Sequence, residues 1–281
     1  MKINLKCFIM LATVFLSGSV VYAQRGGEVQ YASPLDPSKK STPIYIGPAA
    51  GLNIMGHSMD IPTYRNDELN LCPNFKNATG IGPYVGLTLE RLFGEVATSS
   101  SGLIFRLLFN MYPGSITVSD NTYHMWDPNS NTYVQSSVDH VMDISYNAAT
   151  FEVMYKINPV PAIGLGIVVG PAIDYIITKD RAQKTKIISP KNTQFSNLPN
   201  VASYEDNKRT AVWYDGEIED ASAIRFGIKA GVQYEILLGS KLYIAPCVAY
   251  NFGINSATTG KDSYTWRVSP IQIGIDARFA F

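Results

Sequence analysis

Charge is scarce in this 281-residue chain. Only 16% of residues are Asp, Glu, Lys or Arg, and 23 acids balance 23 bases to a net charge of zero. Ordinary soluble domains carry about a quarter, and a neutral chain offers no electrostatic footprint for nucleic acid. Cysteine is nearly absent. Cys7 lies in the opening apolar segment, and Cys72 and Cys247 are too far apart to suggest a disulfide framework or a metal-ligand spacing. Long apolar runs are missing too. Beyond the first two dozen residues the longest, "AIGLGIVVGPAI" (162–173), contains three glycines and a proline, well short of the roughly 20 residues of a membrane helix. No segment of comparable length has helical periodicity.

The first residues read as an export signal. Lys2 and Lys6 precede the apolar "CFIMLATVFLSGSVV", and Val21-Tyr22-Ala23 ends on a small residue, the pattern of a cleaved signal peptide over 1–23. Residues 24–42, rich in Gly, Pro and Ser, are expected to form a flexible periplasmic leader. The remainder, 43–281, resolves into eight alternating segments near 43–56, 79–91, 102–113, 141–157, 162–178, 221–237, 241–255 and 264–281. Their lengths suit tilted membrane strands. Polar connections at about 57–78, 114–140 and 179–220 alternate with brief ones at 92–100, 158–161 and 238–240. Long, short, long, short is the loop pattern of an outer-membrane barrel, and a secreted β-sandwich has no reason to keep it.

Face assignment sharpens the reading. One row of each strand is apolar, as in Leu103, Phe105, Leu107, Phe109 and Met111. The opposite rows hold Glu90, Arg106, Glu152, Lys156, Asp174, Arg225, Lys229, Glu235, Asp276 and Arg278, five acids and five bases, interspersed with glycines. On a soluble barrel those charges would face water. The many glycines favour the other arrangement, a narrow lumen with room for small residues beside a few long ones that must pair. Aromatics mark two girdles: Phe93, Tyr155, Tyr234, Phe279 and Phe281 at the periplasmic end, and Phe109, Tyr146, Tyr175, Tyr250, Phe252 and Trp266 in the outer half. Pro48, Pro83, Pro171 and Pro246 fall on lipid-facing rows. The apolar row shifts phase from Trp266 and Val268 to Ile271 and Ile273, which predicts a β-bulge at or next to Pro270.

The last strand alternates through "IQIGIDARFAF" and ends on an aromatic residue. Ile275, Phe279 and Phe281 share a face, and this ending resembles the signal read by the bacterial outer-membrane assembly machinery. From 43 to 281 the chain resembles small eight-stranded outer-membrane barrels of the OmpA/OmpX type and the related PorT-like β-barrel family. The resemblance implies an all-β, eight-stranded antiparallel up-and-down transmembrane β-barrel in a Gram-negative outer membrane, with both termini periplasmic. It implies lipid and the assembly machinery as partners, and brings no function-bearing motif.

Chemistry is thinly represented. His57-Ser58-Met59-Asp60 invites comparison with barrel hydrolases, but the partners of a catalytic set are not apparent. Asp120, His124 and Asp127, or His140 and Asp143, are weak metal candidates. The basic run 179–186 is a candidate for lipopolysaccharide phosphates. No cofactor, metal or catalytic residue is assigned. The expected protein is a non-enzymatic barrel plugged by its lumen charges, acting as a structural or surface interaction protein that meets a protein partner through its outer loops. A narrow solute channel and a lipid-modifying hydrolase stand as alternatives.

Overall fold

The computed structural model describes residues 44–61, 75–93, 101–160, 164–198, 201–218, 220–238, 242–259 and 266–280. The expected signal peptide, the leader, Cys72 and the terminal Phe281 lie outside the described residues. Twelve strands form a single sheet: β1 (Ile44–Ile61), β2 (Phe75–Leu92), β3 (Ser101–Met111), β4 (Gly114–Asp127), β5 (Thr132–Val160), β6 (Leu165–Ser189), β7 (Ser203–Glu205), β8 (Thr210–Glu217), β9 (Ile224–Tyr234), β10 (Ile236–Leu237), β11 (Leu242–Gly253) and β12 (Trp266–Ala280).

The pairings close on themselves. β1 pairs with β2, β2 with β3, β3 with β5, β5 with β6, β6 with β9, β9 with β11, β11 with β12, and β12 with β1, always antiparallel. This is a barrel with no free edge around its ring. Twelve strands, not the eight expected, make up the sheet because four lie off that ring. β10 is a two-residue addition to β11. β4 continues β3 past Tyr112 and Pro113 in unbroken register, with Met111 opposite Asn147 and Gly114 opposite Ile144. Pro113 cannot donate, but the Tyr112 amide still bonds the Tyr146 carbonyl at 2.7 Å. β7 and β8 stack beside the upper part of β6.

These additions build a sheet, ordered β4-β5-β6-β8-β7, that rises from one side of the barrel at the end away from Ile44 and Ala280 (hereafter the far end). Polar connections expected at 114–140 and 179–220 are therefore largely strands. Bulges hid them: the β4–β5 register shifts between Val118 and Asn121, within the first segment, and the β5–β6 register shift between Asn147 and Ala148 resets the phase of β6 just before the second. About 15 residues of β5 lie above the second bulge, and at about 3.3 Å per residue and a tilt near 40° the wall rises roughly 35–40 Å.

Outward residues are apolar and exposed all round the ring, among them Leu52, Ile81, Val85, Leu107, Phe151, Ile173, Tyr175, Ile228, Phe252 and Ile275. Along β6 the outward row runs from Ile167 to Ile177, a belt of roughly 25 Å at the same rise and tilt. Phe93, Tyr155 and Phe279 face outward near one rim, and Phe109, Tyr175, Tyr250 and Phe252 toward the other. Two expected girdle members do not belong to it. Tyr146 and Trp266 are fully buried inside the far end of the barrel.

That inversion also removes the bulge expected at Pro270. Trp266, Val268, Pro270 and Gln272 all point inward, and pairing runs without a break from Met59–Trp266 to Ala49–Asp276. The apparent phase shift arose because the far lumen is itself apolar, so an inward hydrophobic row was mistaken for a lipid-facing one. Pro270 costs the ladder little, since the β11–β12 pairing stops at Tyr250–Ile271, one residue before it. Pro48, Pro83 and Pro171 are exposed on the outer surface without a register shift. The β1–β12 pairing simply lapses at Gly47 and Pro48 and resumes in the same register.

The inward glycines serve the wall as much as the lumen. A Cβ at Gly170 would lie 2.0 Å from the Val153 carbonyl oxygen, one at Gly86 2.0 Å from that of Leu107, and one at Gly51 2.2 Å from that of Ile273. Neighbouring backbone thus crosses where a side chain would stand, as the strong coiling of a small barrel requires. Outward Gly56 is different, since its nearest such neighbour is 3.6 Å away. Gly170→Ala is expected to lower the folded fraction of refolded protein, at about 1–3 kcal/mol of overpacking, whereas Gly56→Ala leaves it unchanged. Heat-modifiable migration on cold SDS gels measures both.

Candidate functional site

Inward positions of the ring alternate with the lipid-facing ones, which carries all ten charged residues singled out above into the lumen. Each is at most 2% exposed, and they meet in one connected network. At the end near Ile44 and Ala280, the Lys156 ammonium on β5 bridges the carboxylates of Glu90 on β2 and Glu235 just past β9. Arg278 on β12 donates to Glu90 at 2.7 Å, to Gln233 at 3.1 Å and to Asp276 at 2.6 Å. Asp276 also accepts from Arg106 at 2.6 Å. Arg106 reaches toward Glu152 at 3.9 Å, and Lys229 closes on Glu152 at 2.5 Å.

Neutral side chains carry the network onward. Lys229 donates to the Gln272 carbonyl oxygen, and the Gln272 amide donates to Asn110 at 2.8 Å. Asn110 donates to the Thr150 hydroxyl at 2.7 Å, and Thr150 donates to Asp174 at 2.6 Å. Asp174 pairs with Arg225, whose Nε donates at 2.6 Å. Arg225 in turn lies over the Tyr112 ring at 5.1 Å and donates to the Val268 carbonyl. Sequence reasoning passed over Asn110, Thr150, Gln233 and Gln272. Their signal was available, since each lies in the same inward phase as the charges.

Both ends of this column are capped. Tyr45 and Tyr243 meet edge to face at 5.2 Å beside Leu92 and Ala245, with the Tyr243 hydroxyl on Glu90. At the far end Met55, Met59, Phe75, Tyr112, Met142, Ile144, Tyr146, Ile176 and Trp266 pack together inside the wall. Above them the projecting sheet has its own apolar cluster of Val138, Ile187, Phe195 and Ala211.

Charge inside, an apolar belt outside and a closed ladder between them leave one solvent for the belt. The chain is a transmembrane β-barrel. No protein-family model matches it, and no curated protein does. Solved structures with some likeness include Neisserial surface protein A (11% identity, TM-score 0.34, 86% of this chain and 100% of that one). Others are the outer membrane protein OprG from Pseudomonas aeruginosa (10%, 0.35, 86% and 99%) and the outer membrane protease OmpT from Escherichia coli (8%, 0.35, 86% and 98%). Identities and scores this low carry no argument about this chain, and the barrel rests on its own strand pairing.

The remaining candidates separate. His57 is buried while Ser58 points to the opposite, exposed face, so the two do not form a nucleophile–base pair. His140 faces inward and Asp143 outward, where it accepts from Ser115 at 2.7 Å. Among the described residues no group of three or more His, Cys, Asp or Glu could hold a metal ion. The Asn129 amide, with Ser130 and Asn192, holds the Asp127 carboxyl below its ordinary value. In the basic run, Lys179 pairs with Glu217 at 3.6 Å and Lys184 with Glu205 at 3.1 Å, and Arg181 stacks on Tyr214 at 4.7 Å. Three of its four bases are thus met by the protein's own acids and rings. Cys247 is a free, buried thiol 3.8 Å from Arg106. Ile275 and Phe279 share the outer face.

Asp174→Ala strands the Arg225 guanidinium and should cost about 3–5 kcal/mol, while Asp174→Leu with Arg225→Met recovers most of the loss; urea unfolding midpoints in micelles compare them. In the projecting sheet His140 bonds Thr185 at 3.0 Å, and burial pushes it down to about 4. Its unfolded value is about 6.5, so the stability it lends is complete above that and lost as pH falls toward 4. Amide hydrogen exchange over 136–142 and 183–187 should accelerate across that interval, and His140→Gln should remove the pH dependence.

Proposed function

We propose that the protein is a non-conducting, non-catalytic barrel of a Gram-negative outer membrane that acts through the sheet projecting from its far end, as a structural or surface interaction protein. The observation that carries this reading is the unbroken lumen network. It runs from the Tyr45–Tyr243 cap to the Tyr112–Trp266 layer with every charge matched. Opening a water path would require separating buried ion pairs that lean on one another, a cost of several kcal/mol at each step. On this reading the short connections and both termini are periplasmic and the tall sheet is extracellular.

Recognition belongs to that sheet, because the ring only positions it. At the tip of the β4–β5 hairpin Tyr133 is 61% exposed and packs against Trp126 at 5.4 Å, an aromatic pair of the kind that anchors protein interfaces. Ile275, Phe279 and Phe281 are the proposed contact with the assembly machinery. A hydrolytic role finds no support at His57, whose ring is taken by Trp266 and Pro113. Planar-bilayer recordings of refolded protein should show no stable single-channel steps, and sizeable regular steps would overturn the plug. Crosslinking in intact cells should capture a partner from residues near Tyr133, and capture only from the ring would refute the assignment to the sheet.

A further inference from the structure

The outer face of the β4–β5 hairpin carries six side chains in three cross-strand rows. Trp126 stands opposite Tyr133, His124 opposite Gln135 and Thr122 opposite Ser137. Alternate residues of a strand share a face, so the rows follow one another about 7 Å apart. Tyr133, His124, Gln135 and Thr122 are exposed, and Trp126 and Ser137 are half-buried. The other face of the hairpin is used for packing: Tyr123 and Met125 rest against the cluster of Val138, Ile187, Phe195 and Ala211. The tip is also tied to residues 192–194. The Gln194 amide donates to the Trp126 carbonyl at 2.9 Å, and the Asn192 side chain donates to Asp127 at 2.6 Å. The strip is therefore held in place before anything meets it, which lowers the ordering cost of binding.

A cross-strand aromatic pair can stabilise a hairpin by itself, but that use is served by burying the rings, and Tyr133 stays 61% exposed beside Trp126. Around the two rings stand Gln135, His124, Thr122 and Ser137. Amide, hydroxyl and neutral imidazole groups each donate and accept hydrogen bonds. Among the described residues none of these four side chains has a hydrogen-bond partner within the protein. No Asp, Glu, Lys or Arg belongs to the strip. Asp127, next to Trp126, is buried and taken by the Asn129 amide, Ser130 and Asn192. The next residue of β5 on this face, Asp139, stands opposite Lys186. An aromatic anchor of a protein interface works inside a surround that excludes water. Here every flanking side chain is a hydrogen-bonding one, and Ile188, also exposed on the sheet, lies beyond Ser137 on β6.

We propose that this strip is a binding platform for an uncharged glycan. The C–H groups of a sugar ring, polarised positive, lie against the Tyr133 and Trp126 rings, whose faces are negative. Sugar hydroxyls donate and accept alike, and they match Gln135, His124, Thr122 and Ser137. A strip without fixed charge suits a neutral chain and gives a polyanion nothing to pair with. The platform rests on the reading of the projecting sheet as the recognition element, and names what that sheet recognises.

Refolded protein, in a detergent without a sugar headgroup, is applied to an array of neutral, sialylated and sulfated oligosaccharides. Retention on neutral members is expected, and it should persist at about 1 M salt, where charges are screened within about 3 Å. Tyr133→Ala should lower retention about tenfold or more, the scale of an aromatic anchor, and Gln135→Ala several-fold. Tyr133→Phe keeps the ring and most of the binding, and Lys186→Ala, outside the strip, leaves it unchanged. The folded band on cold SDS gels verifies each variant. No retention on neutral members overturns the platform, as does retention confined to charged ones or retention that survives Tyr133→Ala. If Tyr133→Ala does not fold, Gln135→Ala decides, and unchanged retention there refutes the proposal. An empty array beside a protein crosslinked near Tyr133 in intact cells overturns the glycan and leaves the sheet as the recognition element. Capture only from the ring overturns both.

Discussion

An ionised side chain enclosed by a ring of backbone, with lipid beyond, has no water to fall back on. Its counter-charge must be within reach, and any remaining donor or acceptor needs a partner as well. That requirement organises the interior. Lys156 serves two carboxylates, Arg278 serves Glu90 and Asp276, and where the charges run out Gln272, Asn110 and Thr150 bridge to the last pair, Asp174 and Arg225. Each group is fixed by groups on other strands, so the network also holds the relative heights of the strands. A ring sealed by backbone hydrogen bonds could slide by one register step; a ring whose inner faces carry interlocked charges could not do so without stranding them.

The backbone obeys a related economy. Small residues sit where neighbouring strands cross closely, as at Gly51, Gly86 and Gly170, and prolines sit where ladder bonds lapse or end, as at Pro48 and Pro270. Both residue types would weaken an ordinary soluble strand. Here the coiling needed to close a narrow ring gives the glycines their use, and the lipid accepts the outward prolines as compact apolar surface.

Much of this was legible in the sequence, and the failures are instructive. Alternation placed every ring strand, and parity alone sent Glu90, Arg106, Lys156 and the other charges to the inward rows where they are buried. Three readings failed for physical reasons. Trp266 and Tyr146 were assigned to lipid because hydrophobicity cannot tell bilayer from an apolar lumen. The bulge at Pro270 followed from that error. The strands of the projecting sheet read as loops because their faces are polar and their phase resets at bulges. The His57–Trp266 contact joins residues at opposite ends of the chain, and only closure of the first strand onto the last reveals it.

The register shift at Asn147 and Ala148 has a wider consequence. Below it, even-numbered residues of β6 such as Asp174 and Ile176 face inward; above it, odd-numbered ones such as Arg181, Gln183 and Thr185 do. The inserted residue separates two alphabets written on one strand. The lower must satisfy lipid and counter-charges, and the upper answers only to the sheet's own packing and to whatever meets it. Substitution can therefore run freely above that joint while the barrel beneath is left intact, which lets one anchor present many different faces.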